Sequence, residues 1–104
     1  MRWYNRLYVG KKAKRYRRFI IKHIREQKFQ SGAYVITPAS NGNNILDIYP
    51  AVVLLHPEYA KEDYLVIGIA AGYREALEVA RQIVDDLYQQ TGGFDLDSFI
   101  DEKR

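Results

Sequence analysis

Apolar positions recur every three to four residues from Val9 onward. At 100° per residue, Val9, Ala13, Tyr16, Ile20 and Ile24 line up on one side, with Phe19 and His23 flanking them, so the spacing predicts an amphipathic helix over residues 9–28. Opposite that stripe stand Lys11, Lys14, Arg15, Arg18, Lys22 and Arg25, three and four apart. A strand period would scatter both sets. Ser31-Gly32 is the expected end of the helix, because a glycine takes the left-handed conformation that closes a last turn.

The period then changes. Ala33 to Thr37 is β-branched and aromatic and is followed by Pro38, which predicts a strand. Ser40-Asn41-Gly42-Asn43-Asn44 is a turn signal, since Asn-Gly readily supplies positive φ, and Ile45 to Tyr49 returns as the second arm of a hairpin. Ala51 to Leu55 is open: Pro50 could confine it to an edge strand or start a short helix. Its lack of alternation favours the helix, and His56-Pro57 ends it either way, with a charged connection from Glu58 to Asp63.

Tyr64 to Ala70 is apolar throughout, the mark of a strand covered on both sides or central in its sheet. Gly68 within it would let a neighbouring helix approach. Tyr73 to Gln90 is the second long helix, with Tyr73, Ala76, Leu77, Ala80, Ile83, Val84 and Leu87 on one stripe. Glu75, Glu78, Gln82, Asp85, Asp86 and Gln89 stand away from that stripe. Gly92-Gly93 ends it, Asp95 caps a short amphipathic turn that docks Leu96, Phe99 and Ile100, and Asp101 to Arg104 fray.

In order the elements are α-β-β-(short α or β)-β-α-short α. They predict one α+β domain over residues 1–104, in two layers: two long amphipathic helices packed on a small, three-stranded, largely antiparallel sheet. Val35, Ile48 and Val66 hint at a second apolar sheet face, which a second copy of the chain would cover.

Composition narrows the classes. A chain of 104 residues with 47% apolar and 28% charged residues has a core and one domain, not a disordered tail. There is no cysteine, which excludes disulfides, a thiolate zinc site and a cysteine nucleophile. No run approaches the roughly 18 apolar residues of a membrane span. The basic N-terminus lacks the apolar core of a secretory signal, so the expected location is cytoplasmic.

Charge is divided between two halves. Residues 1–31 carry eleven Lys and Arg against Glu26 alone, a local charge of +10; residues 32–104 carry five bases and twelve acids, or −7. Six cations over fourteen helical steps would make a ridge about 21 Å long. Such ridges bind anionic polymers by neutralising phosphates and releasing counterions, and Trp3, Tyr4 and Tyr8 lie near enough in sequence to stack on bases. The plainer readings are a solvated face, or pairing with the acidic last helix within the chain or across a homo-oligomer. A basic amphipathic helix can also lie on an anionic membrane, but its apolar side is needed against the sheet.

Other candidates are weaker. Gly68-Ile-Ala-Ala-Gly72 sits where a strand feeds a helix, yet it matches neither phosphate-loop pattern, and close packing explains it. His56 with Glu58, Glu62 and Asp63 has no metal-ligand spacing. Asp85 and Asp86 are adjacent on a helix and point different ways. Ser31, Ser40 and Ser98 fall at turns or element ends, where hydroxyls cap backbone groups. Tyr16, Tyr34, Tyr64, Tyr73 and Tyr88 fall at core-facing or strand positions. The expectation is therefore a non-enzymatic protein with no catalytic residues, metal, cofactor or small-molecule ligand. Its anion-binding residues would be Lys11, Lys14, Arg15, Arg18, Lys22 and Arg25, its partner a nucleic acid or an acidic protein. The alternatives are a self-associating structural protein and, behind it, a small enzyme of unknown chemistry.

Overall fold

The apolar run after Tyr64 becomes the centre of the sheet. In the computed structural model, which describes residues 1–28, 32–39, 44–60 and 63–103, this strand is β4 (Leu65–Ala71), and Leu65 through Ala70 are buried. It is flanked by β1 (Arg2–Val9), parallel to it, and by β2 (Ala33–Pro38), antiparallel to it. The hairpin partner β3 (Leu46–Pro50) forms the far edge, giving the order β1-β4-β2-β3. The hairpin register sets Val35 opposite Tyr49 and Ile36 opposite Ile48. Of the expected turn, only Asn44 lies within the described residues.

The α+β class holds, with helices on a mixed sheet, but there are four strands rather than three, and three layers rather than two. The strand period of two explains the third layer. Along β2, Ile36 faces α3 (Tyr73–Thr91) and α4 (Leu96–Lys103), whereas Ala33 and Val35 face α1 (Arg17–Arg25). Both faces are apolar, and both are covered by this chain's own helices. The second face, which was to need a second copy, carries α1, the 3-10 turn Ala13–Tyr16 and the 3-10 turn Ala51–Leu55.

The expected helix over residues 9–28 is the largest correction. Its first part is the end of β1, whose Trp3, Tyr4, Leu7, Tyr8 and Val9 favour a pleated strand. The pairing of β1 with β4 slips between Trp3, opposite Val66, and Tyr8, opposite Gly68, so a bulge hides the alternation. The α-helical part is only Arg17–Arg25. It ends without glycine: Gln27 adopts φ 55°, while the Gln27 and Lys28 amides donate to the carbonyls of Ile24 and His23. That pair of hydrogen bonds is a Schellman closure. Gly32, expected to end this helix, leads into β2 instead, its carbonyl accepting from the Gly72 amide at 2.6 Å.

Residues 51–55 form the favoured short helix, as a 3-10 turn, and Pro57 opens α2 (Pro57–Ala60), where its missing N–H costs nothing. Helix α3 buries Ala76, Val79, Ile83 and Leu87, while Tyr73, Leu77 and Tyr88 are exposed. The buried stripe is therefore rotated by roughly 60° from the expected one, toward Glu75. Gly68 is the cause: a Cβ there would sit 3.1 Å from Val79 Cγ1 and 3.4 Å from Ile83 Cδ1, so its absence lets α3 settle with those two side chains inward. Asp95 caps α4 by accepting from the Ser98 amide and hydroxyl, and Leu96, Phe99 and Ile100 dock as expected. The helix then continues to Lys103, past the point where fraying was expected.

Candidate functional site

The basic stretch begins at a turn held by a buried acid. Gly10 ends β1, its amide donating to Ile69 O at 3.0 Å. The chain then reverses, and the amides of Lys12 and Ala13 donate to the Glu75 carboxylate at 2.7 and 3.2 Å. The Ala71 amide donates to the same carboxylate at 2.9 Å. One side chain from the first turn of α3 thus satisfies three backbone donors and ties the start of the basic segment to the opposite layer. A Cβ on Gly10 would overlap that carboxylate, so only glycine fits there. Glu75 was expected on the polar side of α3; it is buried. Little in the local sequence signals this, because two of its three partners, Lys12 and Ala13, lie more than sixty positions away.

From that turn the six expected cations project to water. Lys11 lies in the turn, Lys14 and Arg15 on the 3-10 segment, and Arg18, Lys22 and Arg25 on α1, and all six are exposed. Arg18, Lys22 and Arg25 share one side of α1 by their spacing of four and three. The other three stand on the tighter turn before it, so the ridge is a bent band rather than one straight helical line. Lys12 and Arg17 are exposed beside it. Among the described residues no carboxylate forms an ion pair with any of the six: the ion pairs are those of Asp63 with the N-terminal amine and Arg2, and of Glu26 with Lys28. Acid-rich α3 lies across the sheet from α1, so pairing the ridge to it within one chain does not occur.

Aromatic rings interleave with the band, though not the expected ones. Tyr4 is buried, and the Tyr8 hydroxyl donates to Asp86 at 2.6 Å on the α3 side. Burial and the Asp86 carboxylate together push the Tyr8 phenol well above its ordinary range. Only Trp3 remains on the α1 side, with the Arg25 guanidinium 5.5 Å from its ring centroid. Tyr16 and Phe19, by contrast, are 59% and 54% exposed among the cations. They border a shallow surface with Lys14, Arg15, Arg17 and Arg18. The Phe19 ring lies tilted at 36° against His23, with centroids 3.9 Å apart, and the buried Nδ1 of His23 has no hydrogen-bond partner among the described residues. Tyr16 was expected in the core; the 3-10 turn, with three residues per turn instead of 3.6, swings it out.

The weaker candidates resolve into structural roles. The Gly68–Gly72 segment has its amides engaged, Ala71 by Glu75 and Gly72 by Gly32. The His56 Nδ1 accepts from the Glu58 amide at 3.2 Å and Asp63 turns to Arg2, while Glu62 lies outside the described residues, as do Ser31 and Ser40. Asp86 is half-buried under Tyr8 and Gln82, whereas Asp85 faces solvent. Among the described residues no helix is long and apolar enough to cross a membrane.

Fold and site together define a small α+β protein with one densely cationic face whose six cations form no ion pair among the described residues. Comparison with protein-family models, with curated proteins and with solved structures found no match to this chain.

Proposed function

We propose that this protein is a non-enzymatic binding module whose basic face contacts nucleic acid. The observation that carries the reading is that Lys11, Lys14, Arg15, Arg18, Lys22 and Arg25 are all exposed and that none forms an ion pair among the described residues, although Glu26 lies near enough to feel the charge of Lys22. A set of like charges held along one band, at no benefit to the fold, attracts a polyanion and releases its counterions. Exposed Tyr16 and Phe19 among the cations favour nucleic acid over an acidic protein, because bases stack on such rings. Only three of the six cations, Arg18, Lys22 and Arg25, stand on an α-helix, and the other three precede it on a tighter turn, which favours contact with the backbone over base-specific reading.

Fluorescence anisotropy with mixed DNA and RNA oligomers at low salt tests this. Binding at micromolar protein is expected, with a log–log salt slope of about −4 to −5 if all six cations engage phosphates. Absence of binding under those conditions removes the proposal.

A further inference from the structure

The basic face runs into a cavity of about 440 Å³ at the C-terminal end of α1. Its floor is apolar: Ile24, Ala51 and Leu54 are buried. Its walls combine the rings of Trp3, Tyr59 and Tyr64 with the cationic side chains of Arg25 and Lys28. Two of the rings are held by a further one, because Tyr49 contacts both Tyr59 and Tyr64, at centroid distances of 6.0 and 5.6 Å. Arg25 is placed by its contact with Trp3. Lys28 pairs with Glu26 at 3.0 Å, but both side chains are well exposed, and an exposed pair of this kind is weak enough for a bound anion to compete for the ammonium.

We infer that this cavity takes one nucleoside phosphate, with its base among the three rings and its phosphate at Arg25 and Lys28. The volume falls within the roughly 300–1,000 Å³ of small-ligand sites. Flat rings and cations on the same walls match the two halves of a nucleotide, an aromatic base and an anionic phosphate. Arg25 belongs both to the basic band and to the cavity, so a strand lying on the band is led to the opening. A base still paired in a duplex cannot enter without unstacking, which assigns the site to unpaired nucleotides. The unit is either an unpaired residue of a single strand or a free mononucleotide. The first form rests on the proposed function; the second does not.

Trp3 is the only tryptophan, so its emission reports on the cavity without a label. The full chain is titrated with a mononucleotide, with a single-stranded RNA and with the same RNA as a duplex, and binding of labelled RNA is followed in parallel by anisotropy. The expected result is quenching of Trp3 by the single strand, the mononucleotide or both, none by the duplex, and about tenfold weaker quenching affinity in Tyr59→Ala and Arg25→Gln. Quenching by the mononucleotide assigns the free unit; quenching by the strand alone assigns the strand-borne one. Arg25 is exposed and Tyr59 partly so, and circular dichroism checks that both variants keep the fold. RNA binding with no change at Trp3, or with affinity unaltered in both variants, overturns the cavity and leaves the basic-face reading standing. Mononucleotide quenching without RNA binding does the reverse. Silence in every arm removes both.

Discussion

Helix α3 spans nineteen residues and buries Ala76, Val79, Ile83 and Leu87 in one column, extended by Leu96, Phe99 and Ile100 of α4. Helix α1, on the other face of the sheet, spans nine and buries only Ile20 and Ile24, with Ala13 from the turn before it. Of the acids of α3, Glu78 and Asp85 face solvent while Glu75 is buried and Asp86 half-buried, whereas the outer side of α1 and its approach is almost entirely cationic. Stability is thus concentrated in one layer, and the other is left free to carry charge. A core-bearing helix tolerates few changes; a lightly anchored one can be specialised at small cost to the fold.

That contrast is broken most directly by emptying one site in each layer. Ile83→Ala, at a position with no exposed surface against Gly68, should lower unfolding free energy by about 3–4 kcal/mol. Ile20→Ala should cost about 2 kcal/mol, because its surroundings at the edge of the second layer can close in or admit water. Urea denaturation with unchanged m-values measures both. Equal losses, or a larger one at Ile20, would show that the two layers share the load.

The layers are also coupled through one side chain, and removing it sharpens the comparison. Glu75→Ala leaves the amides of Lys12, Ala13 and Ala71 without their acceptor, at a cost of about 2–3 kcal/mol. Hydrogen exchange at Lys12 and Ala13 should speed up more than exchange in the column around Ile83. Uniform acceleration would mean that Glu75 supports the whole fold rather than the approach to α1.

Where the signal was local, the sequence was readable. The apolar run of β4, the helix from Tyr73, the hairpin arms and the docking of Leu96, Phe99 and Ile100 behind Asp95 all follow from periodicity and capping within a few residues. What depended on distant partners was not readable. Strand β1 was lost because its bulge breaks alternation around Asn5 and Arg6, and because Val9 and Ala13 fall in phase with Ile20 and Ile24 by accident of spacing. The end of α1 was misplaced because Gln27, not a glycine, takes the left-handed turn. The inward face of α3 was set by Gly68 across the interface. That the six cations reach solvent could be expected from the chain alone, since Lys and Arg are seldom fully buried. Their separation from acidic α3 could not, since it required knowing that the helices lie on opposite faces. The cavity was equally hidden, its walls coming from β1, α1, the 51–55 turn, α2 and the residue before β4.

The smallest expected change in stability is at the cations themselves. Arg18 and Lys22 stand four apart on α1, a like-charge pair that costs a helix about 0.2–0.5 kcal/mol. Replacing both by glutamine removes that repulsion, loses no described ion pair and gives up only the attraction of Lys22 for exposed Glu26, so the Arg18→Gln/Lys22→Gln protein should match the parent's stability to within about 0.5 kcal/mol. Its affinity for RNA oligomers should nevertheless fall about tenfold at moderate salt, with a salt slope shallower by roughly 1.5 if both contact phosphate. A loss of binding at no cost in stability is what a face held for a partner predicts. A loss of more than about 1 kcal/mol in urea would instead place these cations among the supports of the second layer, and the division between a load-bearing and a charge-bearing face would have to be given up.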